Sequence, residues 1–87
     1  MDADIVDDPA QSRLELTVDG RIAFLAYERT RETFSIVHTE VPPELRGRHL
    51  GDRLVEAALR TARDEHLRLV VICPFARAYL RRHPQQP

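Results

Sequence analysis

The stretch Val41-Pro42-Pro43-Glu44-Leu45-Arg46-Gly47-Arg48-His49-Leu50-Gly51-Asp52-Arg53-Leu54-Val55 is where the chain changes period. On its C-terminal side Leu50, Leu54, Val55, Ala58, Leu59 and Ala62 fall on one stripe of an amphipathic helix, predicted over residues 49–65. Glu56 and Arg60 form an i,i+4 pair in the favourable order on that helix. On its N-terminal side residues 34–41 read as a strand, and Pro42-Pro43 ends it because neither residue can donate to a ladder. Past the helix, residues 67–72 read as a short buried strand. Strand, helix and strand at these lengths make a crossover unit, so the two strands are predicted to run parallel.

Working outward, Pro74 suits the first position of a helix. Phe75, Ala78, Tyr79 and Arg82 recur at helical spacing to about His83, where Pro84 stops them. Upstream, Leu14, Leu16 and Val18 alternate along a strand over 13–18. Asp19-Gly20 then marks a type I′ turn, which needs positive φ at both central residues. The partner strand, 21–29, carries Ile22, Phe24 and Ala26 on one face and Ala23, Leu25 and Tyr27 on the other, which predicts an interior strand covered on both sides. Thr30-Arg31-Glu32 is the next turn. The fold class is α+β: an antiparallel meander of three strands, a βαβ crossover and a short C-terminal helix. Residues 1–12 read as a flexible polar lead-in, 13–84 as a single domain and 85–87 as a frayed tail.

The 87 residues carry a net charge of −1, are 43% apolar and contain one cysteine. A chain of this size buries only about 60% of its unfolded surface, enough for one modest core. An internal disulfide is impossible with a single cysteine. The longest unbroken apolar run, Leu69–Cys73, is far shorter than the roughly 20 residues a membrane helix needs. The acidic start lacks the pattern of a signal peptide. These features predict a cytoplasmic protein, monomer or homodimer, with neither nucleic acid nor membrane as partner. Residues 1–45 hold ten acids and four arginines, whereas residues 46–87 hold four acids and nine arginines, and lysine is absent. Such a split points either to an anion met by the second half or to mutual neutralisation of the halves.

The loop 46–51 joins a strand to a helix N-terminus, where the first backbone N–H groups have no partner and the helix dipole is positive. That is a ready phosphate site. Gly47 lets the backbone turn, Gly51 removes a Cβ that would block a ligand's approach, and two arginines add charge-assisted donors. An ordinary helix start with solvated arginines is the alternative.

Three segments in order carry a resemblance. His38-Thr39-Glu40-Val41, the loop Arg46-Gly47-Arg48-His49-Leu50-Gly51, and Cys73-Pro74-Phe75-Ala76-Arg77-Ala78-Tyr79-Leu80-Arg81-Arg82-His83-Pro84 resemble the minimal, YjdJ-type branch of the Gcn5-related N-acetyltransferases across residues 13–84. The family signature is Gln or Arg, any two residues, Gly, any residue, then Gly or Ala. Here His49 stands at its central glycine. The resemblance implies the minimal fold of that family, acetyl-CoA as co-substrate, an amine acceptor and no metal. It also implies that Val41, Arg46, Gly47, Arg48, His49, Leu50 and Gly51 hold the coenzyme, with N–H groups near Val41 on the thioester carbonyl. Histidine tolerates the left-handed backbone better than most residues, and its imidazole can itself donate to a phosphate.

Three residues are candidates for catalysis. Cys73, at a strand end before a Pro-started helix, reads either as a nucleophile able to take the acetyl group or as a small buried hydrophobe. For Tyr79 the resemblance implies a general acid toward the departing thiolate; the other reading is a core aromatic. His38, placed by alternation on one face with Phe34, Ile36 and Glu40, reads as proton acceptor for an amine, with Glu40 orienting it, or as a half-buried structural histidine. Arg81 and Arg82 either cap the last helix or reach the coenzyme's 3′-phosphate. A coenzyme-A-binding module without turnover is the alternative function.

Overall fold

The structure, a computed structural model, describes residues 4–84. The tail expected at 85–87 lies outside the described residues. Five strands form one sheet in chain order: β1 (Ile5–Asp8), β2 (Arg13–Val18), β3 (Arg21–Arg29), β4 (Thr33–Glu40) and β5 (Arg68–Val71). The first four pair antiparallel, and β5 lies parallel to β4 with Thr33 opposite Arg68 and Ile36 opposite Val71. Between them runs α1 (Leu50–Asp64), and α2 (Pro74–Arg82) follows β5.

The turn between β2 and β3 has φ of +53° at Asp19 and +75° at Gly20, the doubly left-handed geometry predicted from that dipeptide. Both helices share one core with the sheet. Leu14 and Leu16, then Ala23, Leu25 and Tyr27, then Phe34 and Ile36 meet Leu54, Val55, Ala58, Leu59 and Ala62 of α1 and Ala76 and Tyr79 of α2. The buried positions of α1 are the stripe read from the sequence together with Gly51.

Three expectations are corrected. Residues 5–8, read as part of a flexible lead-in, form the edge strand β1, so four strands precede the crossover. Their alternation is masked by acids, yet Asp7 faces the core side and accepts a 2.6 Å hydrogen bond from the Tyr27 hydroxyl. Second, β3 is interior within the sheet but covered on one face. Its other apolar row stays partly open, with Ile22 43% exposed and the Arg13 guanidinium 4.6 Å from the centre of the Phe24 ring. That single cation–π cover stands where a second layer was expected. Third, His38 and Glu40 do not share the face of Phe34 and Ile36, for a reason given below.

Ion pairs cross between the two halves of the chain. Arg48 reaches Asp19, Arg53 reaches Asp4 and Arg29 pairs with Glu65, each joining the acidic half to the basic half.

Burial, then the bond to Asp7, pushes the Tyr27 hydroxyl up to about 12 from 10.0. A raised native value gives stability that is complete below pH 10 and lost as pH climbs toward 12, because the unfolded chain releases the proton first. Tyr27→Phe should cost about 1 kcal/mol at pH 7. In urea unfolding across pH 9–12, its stability should also fall less steeply than that of the wild type.

Candidate functional site

Strands β4 and β5 part company after Ile36. Its carbonyl accepts both the Ile72 N–H at 2.9 Å and the Cys73 N–H at 3.0 Å, and β5 has by then ended, while β4 continues to Glu40. The separation coincides with a bulge. Ala26 pairs with His38 but Tyr27 pairs with Ile36, so Val37 is an extra residue on β4. A bulge of this kind bends its strand and exchanges the faces beyond it. Thr39 therefore points to the helix side, where the Cys73 thiol donates to its Oγ1 at 3.6 Å. His38 and Glu40 emerge on the opposite, helix-free face, about half exposed, with His38 Nε2 2.9 Å from Glu40 Oε1 and the ring 6.3 Å from Phe24.

Beyond the prolines, Pro43–Leu45 makes a 3-10 turn that buries Leu45 as an anchor. The backbone then needs two left-handed residues, Gly47 at φ +86° and His49 at φ +60°, to enter α1. His49 is the helix N-cap and its side chain makes no capping bond. The first turn closes only with the Arg53 N–H to the His49 carbonyl, at 3.1 Å. At this helix start the N–H groups of Leu50, Gly51 and Asp52 have no intrahelical acceptor, and no side chain caps them. These donors and the positive end of α1 stand at one point.

That point lies in a cleft of about 530 Å³, within the size range of small-molecule sites. Thr39, Glu40 and Val41 of β4 line it, together with Leu45, Arg46, Gly47 and residues 49–52 of the loop and first turn. Phe75 and Arg82, two turns apart on α2, complete it. Arg46 Nε donates to the Val41 carbonyl at 3.2 Å and so ties the loop to the strand end. Asp52 holds Arg82 at 3.4 Å and His49 Nδ1 at 3.5 Å, which moderates the positive potential.

Of the residues expected to hold a coenzyme, Val41, Arg46, Gly47, His49, Leu50 and Gly51 come together here. Arg48 does not, since its guanidinium turns to Asp19 at 3.3 Å. The catalytic candidates lie outside the lining. Cys73 is 2% exposed and packs in the core directly behind Thr39. Tyr79 is buried, donates to Glu56 Oε2 at 2.6 Å and stacks on His83 at 4.2 Å between ring centres. Burial first, and the bond to Glu56 second, drive its hydroxyl far above the ordinary tyrosine value, so its proton is committed to that carboxylate. The cleft residues missed in the sequence are Thr39, Asp52 and Phe75. Helical spacing put Phe75 on a stripe with Tyr79, and nothing in the spacing separates cleft from core. Among the described residues no group of three or more His, Cys, Asp or Glu is placed to hold a metal ion, and no helix is long and apolar enough to cross a membrane.

The model of the GCN5-related N-acetyl-transferase family matches residues 13–86. The chain belongs to that family. It is also similar to Protein NATD1 of Xenopus tropicalis, 33% identical over 63 residues, which take in 71% of this chain and 58% of the relative. The chain thus matches little more than half of that relative's length.

The left-handed backbone at His49 explains why the family signature has glycine there: only glycine is free of strain at such a φ. His49→Gly should leave stability unchanged or raise it by up to about 1 kcal/mol, whereas His49→Val should cost about 1–2 kcal/mol. Denaturant midpoints of the two variants check this.

Proposed function

We propose that this protein is a minimal N-acetyltransferase that moves the acetyl group of acetyl-CoA to an amine. The observation that carries the reading is the uncapped start of α1 at Leu50–Asp52, opening into a cleft whose other wall is the freed end of β4. A pyrophosphate fits such donors, with Arg46 and Arg82 as charged neighbours. The acyl-carrying arm then lies along Thr39–Val41, and N–H groups near Val41 stabilise the developing oxyanion.

In this reading the amine enters from the helix-free face, past the end of β5 at Val71. His38 serves as proton acceptor. A carboxylate only accepts, so Nε2–H donates to Glu40 and Nδ1 is free for the substrate proton. The amine nitrogen bonds to the carbonyl carbon, the carbon–sulfur bond breaks, His38 takes the amine proton, and water protonates the thiolate. Transfer is direct. Cys73 is buried with its thiol on Thr39, and Tyr79 is engaged with Glu56, which argues against routing the acetyl group or a proton through either. Resemblance in the three segments quoted above supports the minimal, YjdJ-type branch.

Calorimetric titration with coenzyme A and dephospho-coenzyme A, followed by a thiol-release assay on an amine panel, tests the reading. Binding of coenzyme A together with acceptor-dependent release of thiol is the expected result. No binding overturns the proposal, and binding without release across the panel leaves a coenzyme-binding module. His38→Gln should lower turnover about 100-fold with coenzyme affinity unchanged. Cys73→Ser should retain turnover within a few-fold; loss of turnover, with acetyl trapped on Cys73 in the wild type, would overturn direct transfer.

A further inference from the structure

Gly51 stands in the first turn of α1, and what presses on it is a side chain of this protein. A Cβ built there would lie 2.7 Å from Phe75 Cζ and 2.8 Å from Cε2, closer than real contacts allow. Gly47 is different: its φ is +86° and the space above it is open. One loop glycine bends the backbone, while the other makes a seat for a ring.

Phe75 is not core filler. Its neighbours on α2, Ala76 and Tyr79, are fully buried, whereas Phe75 is 40% exposed and lines the cleft beside Val41, Leu45 and Leu50. An aromatic ring anchored at one end on a helix backbone and open to a cavity over the rest of its surface is apolar area held in reserve for a ligand. The seat fixes where that surface stands. Cζ and Cε2 at the ring's far end rest on Gly51, and the ring's root is fixed by Pro74 and the buried Cys73 at the start of α2.

We propose that Phe75 is a positioning residue for the acyl-carrying arm of the coenzyme, and that Gly51 serves the site through Phe75 rather than by clearing room for phosphate. The ring packs on the apolar part of the arm between the diphosphate and the thioester, and so sets the depth at which the thioester meets β4. This inference rests on the coenzyme reading above. Covering the exposed part of the ring on binding is worth about tenfold in affinity by area. A methyl group at Gly51 displaces the ring at little cost to the fold, because the clash is with the far end of a flexible side chain.

A double-mutant cycle tests the proposal, with coenzyme A affinity measured by calorimetry on the wild type, Phe75→Ala, Gly51→Ala and the double variant. Phe75→Ala should weaken binding about tenfold and Phe75→Leu by less than threefold. Gly51→Ala should weaken binding severalfold alone and less than twofold when Phe75 is already alanine. In the free wild-type protein the Gly51 Hα resonances should carry a ring-current shift that Phe75→Leu abolishes, a readout independent of any ligand. Wild-type binding that Phe75→Ala leaves unchanged overturns the proposal. So does a Gly51→Ala penalty that persists in full in the Phe75→Ala background, which would mean that phosphate itself needs the bare α-carbon. Failure of the wild type to bind coenzyme A overturns the function reading and the role of Phe75 with it. A normal Gly51 shift overturns the seat alone.

Discussion

The site exists because one carbonyl takes two donors. Ile36 O accepts from Ile72 and Cys73 in succession, so the β4–β5 ladder closes there and cannot continue. Backbone polar groups seldom remain unpaired inside a protein, and a parallel pair that simply ran on would have satisfied them with each other. The extra residue Val37 prevents this by bending β4 away, and β5 turns at Pro74 into a helix. Every element of the cleft follows from that parting. Thr39 is turned inward, α2 starts at the fork, and the double proline carries the chain across to α1.

Most of the fold was legible because its signals were local. Asp19-Gly20 specified a turn that only left-handed residues make, and the stripe of α1 reproduced the buried set apart from Gly51. The bulge left no such trace. Phe34, Ile36, His38 and Glu40 alternate perfectly in sequence, and the insertion of Val37 is visible only from the register with β3. The same holds for α2, where a 3.6-residue period identifies a helix but cannot tell that Ala76 and Tyr79 face the core while Phe75 and Arg82 face a cavity. Strand β1 escaped because Asp7 and Asp8 hide its pattern, although Asp7 earns its place through a tyrosine twenty residues away.

The candidate site divides along the same line. The loop that opens α1 was readable at Gly47, since a chain that turns through a left-handed angle into a helix favours glycine there. His49 fits that account, holding a left-handed angle at the position where the resembled signature has glycine. The three catalytic candidates rested on residue type, place in the chain and resemblance, and none of these gives side-chain direction. Tyr79 and Cys73 turn into the core, and His38 turns to the far face of the sheet.

The clamp between Tyr79 and Glu56 has a wider consequence. It bolts the middle of α2 to the middle of α1, while the two ends of α2 frame the cavity. The frame of the cavity is therefore tied into the packed core of the molecule. Its aperture is set when the chain folds, and repacking at residue 79 would be felt at both Phe75 and Arg82. In so small a protein, the groove and the hydrophobic interior evolve as one object.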